Sequence, residues 1–168
     1  GVLGYEMTLL EVQKLLCFLQ EFGISLQLRF KKNYYGPYAD NLRHVLHLFE
    51  GHYITGFGDG NNKPQTVINL APHASEEACA YLQQHIESDS PVFKSLQKVE
   101  KFIDGFESPL GMELLSTIHW LMVYENVKPE VIDMLQAVCN WNERKSRILK
   151  PEHIETALER LRTIDADN

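Results

Sequence analysis

Residues 30–60 read FKKNYYGPYADNLRHVLHLFEGHYITGFGDG, and this stretch decides how the chain is organised. It contains two backbone breaks, the Gly-Pro pair at 36–37 and the glycine-rich loop at 56–60, with an amphipathic helix predicted between them. Glycine tolerates positive φ and proline fixes φ, so both breaks set the direction of the chain. The stretch also holds four of the seven tyrosines. Aromatic side chains beside such breaks either pack as props or stay exposed as contact groups, and both interpretations are open at this point.

A helix with a clear beginning is predicted before this stretch. Thr8 and Glu11 have the spacing of a capping box, in which each side chain accepts from the backbone amide of the other residue. Apolar residues then recur at helical spacing as far as Phe22. We expect the polar side chains of this helix to face water, namely Gln13, Lys14 and Glu21.

Three short segments have the pattern of β-strands. Residues 26–30 alternate apolar and polar side chains, which predicts a strand with one buried face. Residues 52–55 and 65–70 are short and rich in β-branched side chains, and a polar, turn-rich connection separates them. The last two segments therefore predict a hairpin with a longer loop than the commonest types.

Helical patterns fill the rest of the chain. One helix is predicted over 74–85, another begins at Ser90-Pro91, and residues 110–124 are apolar on nearly all sides, as in a central core helix. Two further helices follow. We expect one domain over 1–168 of mainly α class (α+β), with six or seven helices around one core and a small antiparallel sheet of two or three strands.

Composition and charge restrict the classes of function. Hydrophobic residues make up 44% and charged residues 23% of the chain, as in an ordinary globular protein. No apolar run is long enough to span a bilayer, and no signal peptide is evident, so a cytoplasmic location is expected. The net charge of −7 is spread along the chain and argues against general nucleic-acid binding. It fits either solubility or attraction to a basic partner surface.

Side chains that could carry enzyme chemistry do not form a recognisable motif. The glycine-rich loop at 56–60 is not followed by a helix or by Gly-Lys-Ser/Thr, so a structural turn is preferred over a phosphate cradle. His44, His47 and His52 could share a metal ion, but solvated helix histidines are the preferred interpretation. We therefore predict no catalytic residue, no metal and no cofactor.

The three cysteines are also interpreted without a metal site. They are odd in number and far apart in the chain, which favours reduced thiols over a disulfide or a metal site. The cysteines are Cys17, Cys79 and Cys139.

One basic segment, residues 141–150, offers an alternative function. Its cations could contact phosphate in a nucleic-acid-binding module. The other interpretation is a solvated connection before the last helix, with Trp141 anchored in the core. The cations concerned are Arg144, Lys145, Arg147 and Lys150.

The sequence closely resembles the C-terminal domain of DarG antitoxins, and the resemblance covers nearly the whole chain. A shorter similarity, Gln-Lys-Leu-Leu followed by Tyr-Gly-Pro, is to the Panacea antitoxin domain. The segments that carry the DarG resemblance are GYEMTLLEVQKLL at 4–16, YGPYADNLRHVL at 35–46, EGHYITGFGDG at 50–60, FESPLGMELLSTIHW at 106–120 and WNERK at 141–145.

The resemblance implies a function and a partner. DarG opposes DarT, a toxin that uses NAD to ADP-ribosylate thymine bases in single-stranded DNA. The N-terminal macrodomain of DarG removes the modification, and the C-terminal domain binds the toxin and mimics single-stranded DNA. The glycine-rich loop of the macrodomain is absent from these residues. The resemblance thus implies a non-enzymatic antitoxin domain, with a DarT-type toxin as partner, a macrodomain in cis and no direct contact with nucleic acid or membrane.

A surface that replaces single-stranded DNA needs flat groups in place of bases and carboxylates in place of phosphates. We therefore expect tyrosines from the opening stretch to act as stacking or anchoring groups, and two aspartates to substitute for phosphates. The predicted partner-binding residues are Tyr34, Tyr35, Tyr38, Asp40, Tyr53 and Asp59.

Overall fold

The computed structural model describes residues 6–166, which form helices and short strands in the α+β arrangement that the sequence predicts. In chain order the elements are β1 (Met7–Thr8), α1 (Leu9–Glu21), β2 (Phe30–Asn33), β3 (Gly36–Ala39), α2 (Leu42–Phe49), β4 (Ile54–Thr55), β5 (Val67–Leu70), α3 (Ala74–His85), α4 (Pro91–Ile103), α5 (Pro109–Tyr124), α6 (Val131–Trp141), α7 (Glu143–Ile148) and α8 (Pro151–Ala166).

Two compact units make up the chain. The first comprises Gly1–Lys31 and Tyr38–Val99, and the second comprises Lys32–Pro37 and Glu100–Asn168. The described residues contain eight helices, against six or seven predicted, because α7 forms where a solvated connection was one of the expectations. No helix within residues 6–166 is both long and apolar enough to cross a membrane.

A three-stranded antiparallel sheet lies in the first unit, in the order β1-β5-β4. Ile54 pairs with Leu70 across the predicted hairpin, which is thereby confirmed, although its strands are shorter than expected. The third strand, β1, was not predicted. Met7 pairs with Ile68 immediately before the helix cap, where the sequence shows only the start of a helix.

Helix α1 begins as predicted but faces the core differently. The capping box is present: the Glu11 amide donates to Thr8 Oγ1 at 3.3 Å, and the Thr8 amide donates to Glu11 Oε2 at 2.7 Å. Gln13 and Lys14 are buried, so the prediction that they face water was wrong for both. The Gln13 side chain donates to Ala39 O at 3.1 Å and accepts from the Ala39 amide at 3.0 Å, which ties β3 to α1.

The strand predicted at 26–30 is wrong, because the ladder begins only at Phe30. The Gln20 side chain occupies both backbone groups of Leu28, with two bonds of 2.8 Å. Gln27 has a φ of 57°, which is incompatible with a regular strand. The alternation of burial along the segment is nevertheless as predicted, with Leu28 buried. The alternating pattern therefore correctly indicated one buried face, but it did not indicate whether the segment pairs with another strand.

The glycine-rich loop is a structural turn with its first amides occupied. The Glu50 carboxylate accepts from the amides of Gly56 and Phe57, each at 3.1 Å. Phe57 is buried in the first unit's core, which is built from α1, α2 and the sheet. These two amides are therefore engaged with a carboxylate of the chain itself.

The second unit is organised around α5, as predicted from its apolar sequence. Ser108 caps this helix by accepting from the Gly111 amide at 3.0 Å, and α5 packs against α6 and α8. Leu115, Ile118 and Leu121 are completely buried. The same helix also buries Glu113, and that carboxylate leads to the candidate site.

Candidate functional site

The tip of the β2–β3 hairpin presents two tyrosines in the second unit. Tyr34 and Tyr35 form the turn, and Gly36 follows with a φ of 110°, a conformation that favours glycine. The two rings meet edge to face, with centroids 4.9 Å apart. Tyr34 is 48% exposed and Tyr35 is half-buried, so the pair presents one ring to solvent and partly encloses the other.

Two side chains from the end of α6 hold the hairpin tip in place. Trp141 Nε1 donates to Asn33 O at 2.9 Å, and Asn142 Nδ2 donates to Tyr34 O at 2.9 Å. Trp141 is half-buried, so the expectation that it is anchored in the core was wrong. It braces the strand that carries the tyrosines instead.

Cations lie against these aromatic rings. The Arg144 guanidinium is 4.5 Å from the Tyr35 ring centroid and 5.9 Å from that of Tyr34. Lys32 Nζ lies 4.4 Å from the Trp141 ring centroid. Such cation–π contacts orient the rings as well as stabilise them. We call Lys32, Tyr34, Tyr35, Trp141 and Arg144 together the hairpin-tip platform.

A buried ionic cluster supports the platform from within. Glu113 Oε1 accepts from Arg144 at 2.5 Å and from Lys145 Nζ at 2.7 Å. Lys145 Nζ also donates to Thr117 Oγ1 at 3.0 Å, and the lysine side chain is completely buried. Burial lowers the pKa of Lys145 against the opposing attraction of Glu113. For Arg144, burial opposes the change, but the hydrogen bond and charge of Glu113 prevail and raise the pKa.

The basic segment is therefore not a free row of cations. Residues 143–148 form α7, and both Arg144 and Lys145 are committed to Glu113. Arg147 pairs with Glu143 one turn earlier on the same helix, at 3.3 Å. Of the four cations in the nucleic-acid alternative, the two at the start are thus held by the protein's own carboxylate, which leaves that alternative weaker.

The other predicted partner-binding residues, Tyr38, Asp40, Tyr53 and Asp59, lie in the first unit. Asp40 forms an ion pair with Lys31 at 2.8 Å, and the hydrogen bond from that lysine lowers its pKa. Tyr38 is half-buried. Tyr53 is exposed and meets the Phe49 ring at 5.5 Å, while Asp59 accepts from the Asn61 amide at 3.3 Å.

Sequence reasoning missed the residues that hold the platform. Glu113 carried a usable signal, since it is the one acidic residue in a helix that is otherwise almost entirely apolar. A carboxylate in that position requires a buried cation. Trp141 and Lys32 carried none, because their contacts join segments about a hundred residues apart in the chain, as in the Trp141–Asn33 bond.

Metal-binding geometry is absent from the described part of the chain. No three or more His, Cys, Asp or Glu side chains in residues 6–166 gather in a way that could hold a metal ion. His44 and His47 are exposed on α2, and His47 packs edge-on against Phe57 at 5.0 Å. None of the three cysteines is in a disulfide, and Cys17 is buried.

Comparison with known proteins finds relatives over nearly the whole chain. A protein of Thermus aquaticus named DNA ADP-ribosyl glycohydrolase is 39% identical over 161 residues, covering 96% of this chain and 42% of the relative. Proteins of the same name from Mycobacterium bovis and Mycobacterium tuberculosis are 36% identical over 157 residues, covering 90% of this chain and 43% of each relative. No protein-family model matches.

These relatives correct one expectation. The chain was predicted not to be an enzyme, whereas the proteins that match 90–96% of it carry the name of an enzyme. The prediction had assigned all enzymatic activity to a separate macrodomain. The chain spans about two fifths of the length of these relatives, 42–43%.

Proposed function

We propose that the chain is the toxin-binding part of a DNA ADP-ribosyl glycohydrolase of the DarG type. In this proposal the whole protein removes ADP-ribose from DNA, and this part neutralises a DarT-type toxin by direct binding. The similarity to proteins of that name supports the first statement. The resemblance to the C-terminal domain of DarG antitoxins supports the second.

The observation that carries the proposal is the braced tyrosine pair at the hairpin tip. Tyr34 is exposed, yet its carbonyl is held by Asn142 and its ring lies beside Tyr35. An exposed aromatic side chain that is already ordered loses little conformational freedom on binding. Tyrosines of this kind dominate the energetics of many protein interfaces.

Mimicry of single-stranded DNA is the finer part of the proposal. The rings of Tyr34 and Tyr35 would enter the toxin's base-binding positions, as bases stack on aromatic side chains in single-strand complexes. Carboxylates are also tied to the platform: Glu125 bonds to Lys32 at 2.6 Å, and Glu143 follows Asn142 directly. These groups would take the places of phosphates.

Direct binding is tested by mixing the chain with its cognate toxin at micromolar concentration and measuring co-elution in size-exclusion chromatography. We expect one complex peak. Two separate peaks would contradict toxin binding. The mimicry part is tested in the same complex with a thymine-containing single-stranded oligonucleotide, which should displace the antitoxin. Affinity should also fall as salt rises, because exposed charges are screened. Binding that ignores both oligonucleotide and salt would leave neutralisation standing and remove mimicry.

Two variants test whether the toxin contacts the hairpin-tip platform. Tyr34→Ala should weaken toxin binding by about tenfold or more, since exposed tyrosines at interface centres are common hot spots. Leu110→Ala is the control, because Leu110 is an exposed apolar residue of the same unit at the start of α5. Equal affinities of the two variants would contradict a contact at Tyr34.

The enzymatic part is tested on the full-length protein. It should remove the modification from an ADP-ribosylated single-stranded oligonucleotide, measured by gel mobility. An oligonucleotide that remains modified would contradict this part of the proposal without affecting toxin binding.

A further inference from the structure

The first unit contains a large hollow with apolar walls. A cavity of 460 Å³ is lined by side chains from α1, α2, the sheet and the connection between α1 and β2, and all thirteen are Met, Val, Leu, Ile or Phe. Leu70 lies on its rim and is 61% exposed. A water-filled space with such walls is costly, because apolar surface in contact with water is unfavourable.

Two further hollows are linked to this cavity by shared lining residues. The second, of 490 Å³, shares Phe49, Ile54 and Leu70 with the first and extends to Tyr81 on α3. The third, of 450 Å³, shares Tyr81 with the second. We call the three hollows together the apolar trough. Phe49, Leu70 and Tyr81 are exposed along the trough, and clustered exposed apolar side chains typically mark an interaction site.

Helix α3, which borders the trough, buries few of its own side chains. Its twelve residues are all described, and only Ala74 is buried. Isolated helices of about this length are marginal in water, and helices in proteins depend on a packed apolar face for their stability. The face that α3 turns to the trough carries Ala78, Tyr81 and Leu82. The helix therefore leaves much of this face exposed, with Tyr81 at 60%.

Charge around the trough is of one sign. Glu77 lines the second hollow and Glu87 lines the third. Among the described residues that line the three hollows, none is Lys or Arg. Glu77 lies on α3 and Glu87 follows its end, and the twelve residues of the helix extend roughly 18 Å, the length of about three turns.

We propose that the apolar trough binds an amphipathic helix of a partner protein, with its apolar side against Phe49, Leu70 and Tyr81 and basic residues beside Glu77 and Glu87. Apolar walls and carboxylates disfavour a nucleic acid. A small ligand would find no polar group to orient it in the first cavity. A helix fills an elongated trough with side chains at positions i, i+3, i+4 and i+7, and it would cover the exposed side chains of α3.

The probe is a fluorescently labelled peptide of leucine and lysine, about 14 residues long, with leucines at helical spacing. Two matched peptides serve as controls. One replaces every lysine with glutamate, and the other has the same composition with leucine and lysine strictly alternating, so that it has no apolar helical face. Fluorescence anisotropy at about 0.15 M salt measures binding, so that weak surface electrostatics is screened. We expect the helical lysine peptide to bind at least about tenfold tighter than either control.

Substitutions locate the binding. Leu70→Gln and, separately, Tyr81→Gln should each weaken the lysine peptide by about tenfold, because each removes apolar area from the contact. Ile132→Gln is the matched control: Ile132 is 82% exposed on α6 of the second unit, so its loss should change nothing. All three residues are exposed, and far-UV circular dichroism confirms that each variant keeps its helices.

A second readout follows α3 itself. Hydrogen exchange of the backbone amides of residues 78–85 should slow by about tenfold when the peptide is bound, because docking stabilises the helix. Equal binding of the glutamate peptide, unchanged binding by Leu70→Gln and Tyr81→Gln, or unchanged exchange in α3 would each overturn the proposal. So would a concentration-dependent dimer that Leu70→Gln abolishes in sedimentation, since a second copy would then fill the trough. These outcomes do not depend on toxin binding at the hairpin tip.

Discussion

The first unit leaves apolar side chains uncovered beside α3, whereas the second unit encloses charged side chains beneath its hairpin tip. In the first, thirteen apolar residues line an open hollow. In the second, Lys145 and Glu113 are buried together, and their polar atoms are bonded. Surface that still lacks a partner suits recognition of something external, and a satisfied buried network suits a rigid support. The two units should therefore respond differently to substitution.

The largest expected effect is at Glu113 in the second unit. Glu113→Gln removes the charge that compensates the buried Lys145 and the partly exposed Arg144. Removing one partner of a buried ion pair costs about 3–5 kcal/mol of unfolding free energy. Urea unfolding followed by tryptophan fluorescence measures the loss, because both tryptophans, Trp120 and Trp141, belong to this unit.

The control for this substitution is an ion pair on the surface of the same unit. Glu143 and Arg147 are paired on α7 with both side chains exposed. Glu143→Gln should change the unfolding free energy by about 0.5 kcal/mol or less, as expected for an exposed pair one turn apart. Similar losses for the two glutamates would show that Glu113 is not an enclosed support.

A pair of leucine truncations compares the cores of the two units. Leu115→Ala in α5 leaves a closed cavity around a completely buried site and should cost about 4 kcal/mol. Leu46→Ala in α2 enlarges a hollow that is already open. The protein then loses only the transfer free energy of the removed atoms, about 2 kcal/mol of unfolding free energy. Far-UV circular dichroism during urea unfolding measures both. Equal costs would contradict an open trough in the first unit.

The same contrast explains how much of the fold could be predicted from the sequence. Features that depend on neighbouring residues were predicted correctly. The capping box at Thr8, the bounds of α3 and the apolar α5 are all confirmed. Side chains that bond across the chain could not be read locally. Gln20 bonds to Leu28 and prevents a predicted strand, and Gln13 is buried against Ala39 instead of facing water.

The candidate site was also predictable only in part, because side chains that bond across the chain could not be predicted from local sequence. Tyr34 and Tyr35 were correctly placed together at a turn, because the following Gly-Pro marks one. Whether they contact a toxin stays a prediction. Tyr38, Asp40, Tyr53 and Asp59 belong to the first unit, and their contact with a toxin likewise stays a prediction.

The smallest expected effect concerns the pH dependence of the first unit through Cys17. Burial raises the pKa of this thiol from 9.0 to about 12, with the charge of Glu21 adding to the increase. The folded state thus binds the proton more tightly than the unfolded state. The resulting stabilisation is complete below pH 9 and is lost as pH rises towards 12. The expected loss is about 1 kcal/mol between pH 9 and pH 10.

Urea unfolding at both pH values, followed by circular dichroism, isolates this contribution when wild type is compared with Cys17→Ala. The variant loses core packing at every pH, so the slopes with pH are compared, and that of the variant should be shallower. Cys79→Ala is the control, because Cys79 is exposed on α3 and its removal should keep the wild-type slope. If Cys17→Ala also kept that slope, the thiol would be reached by water in the folded state. The apolar trough would then be one part of a more open first unit, and the contrast with the enclosed second unit would extend beyond the surface beside α3.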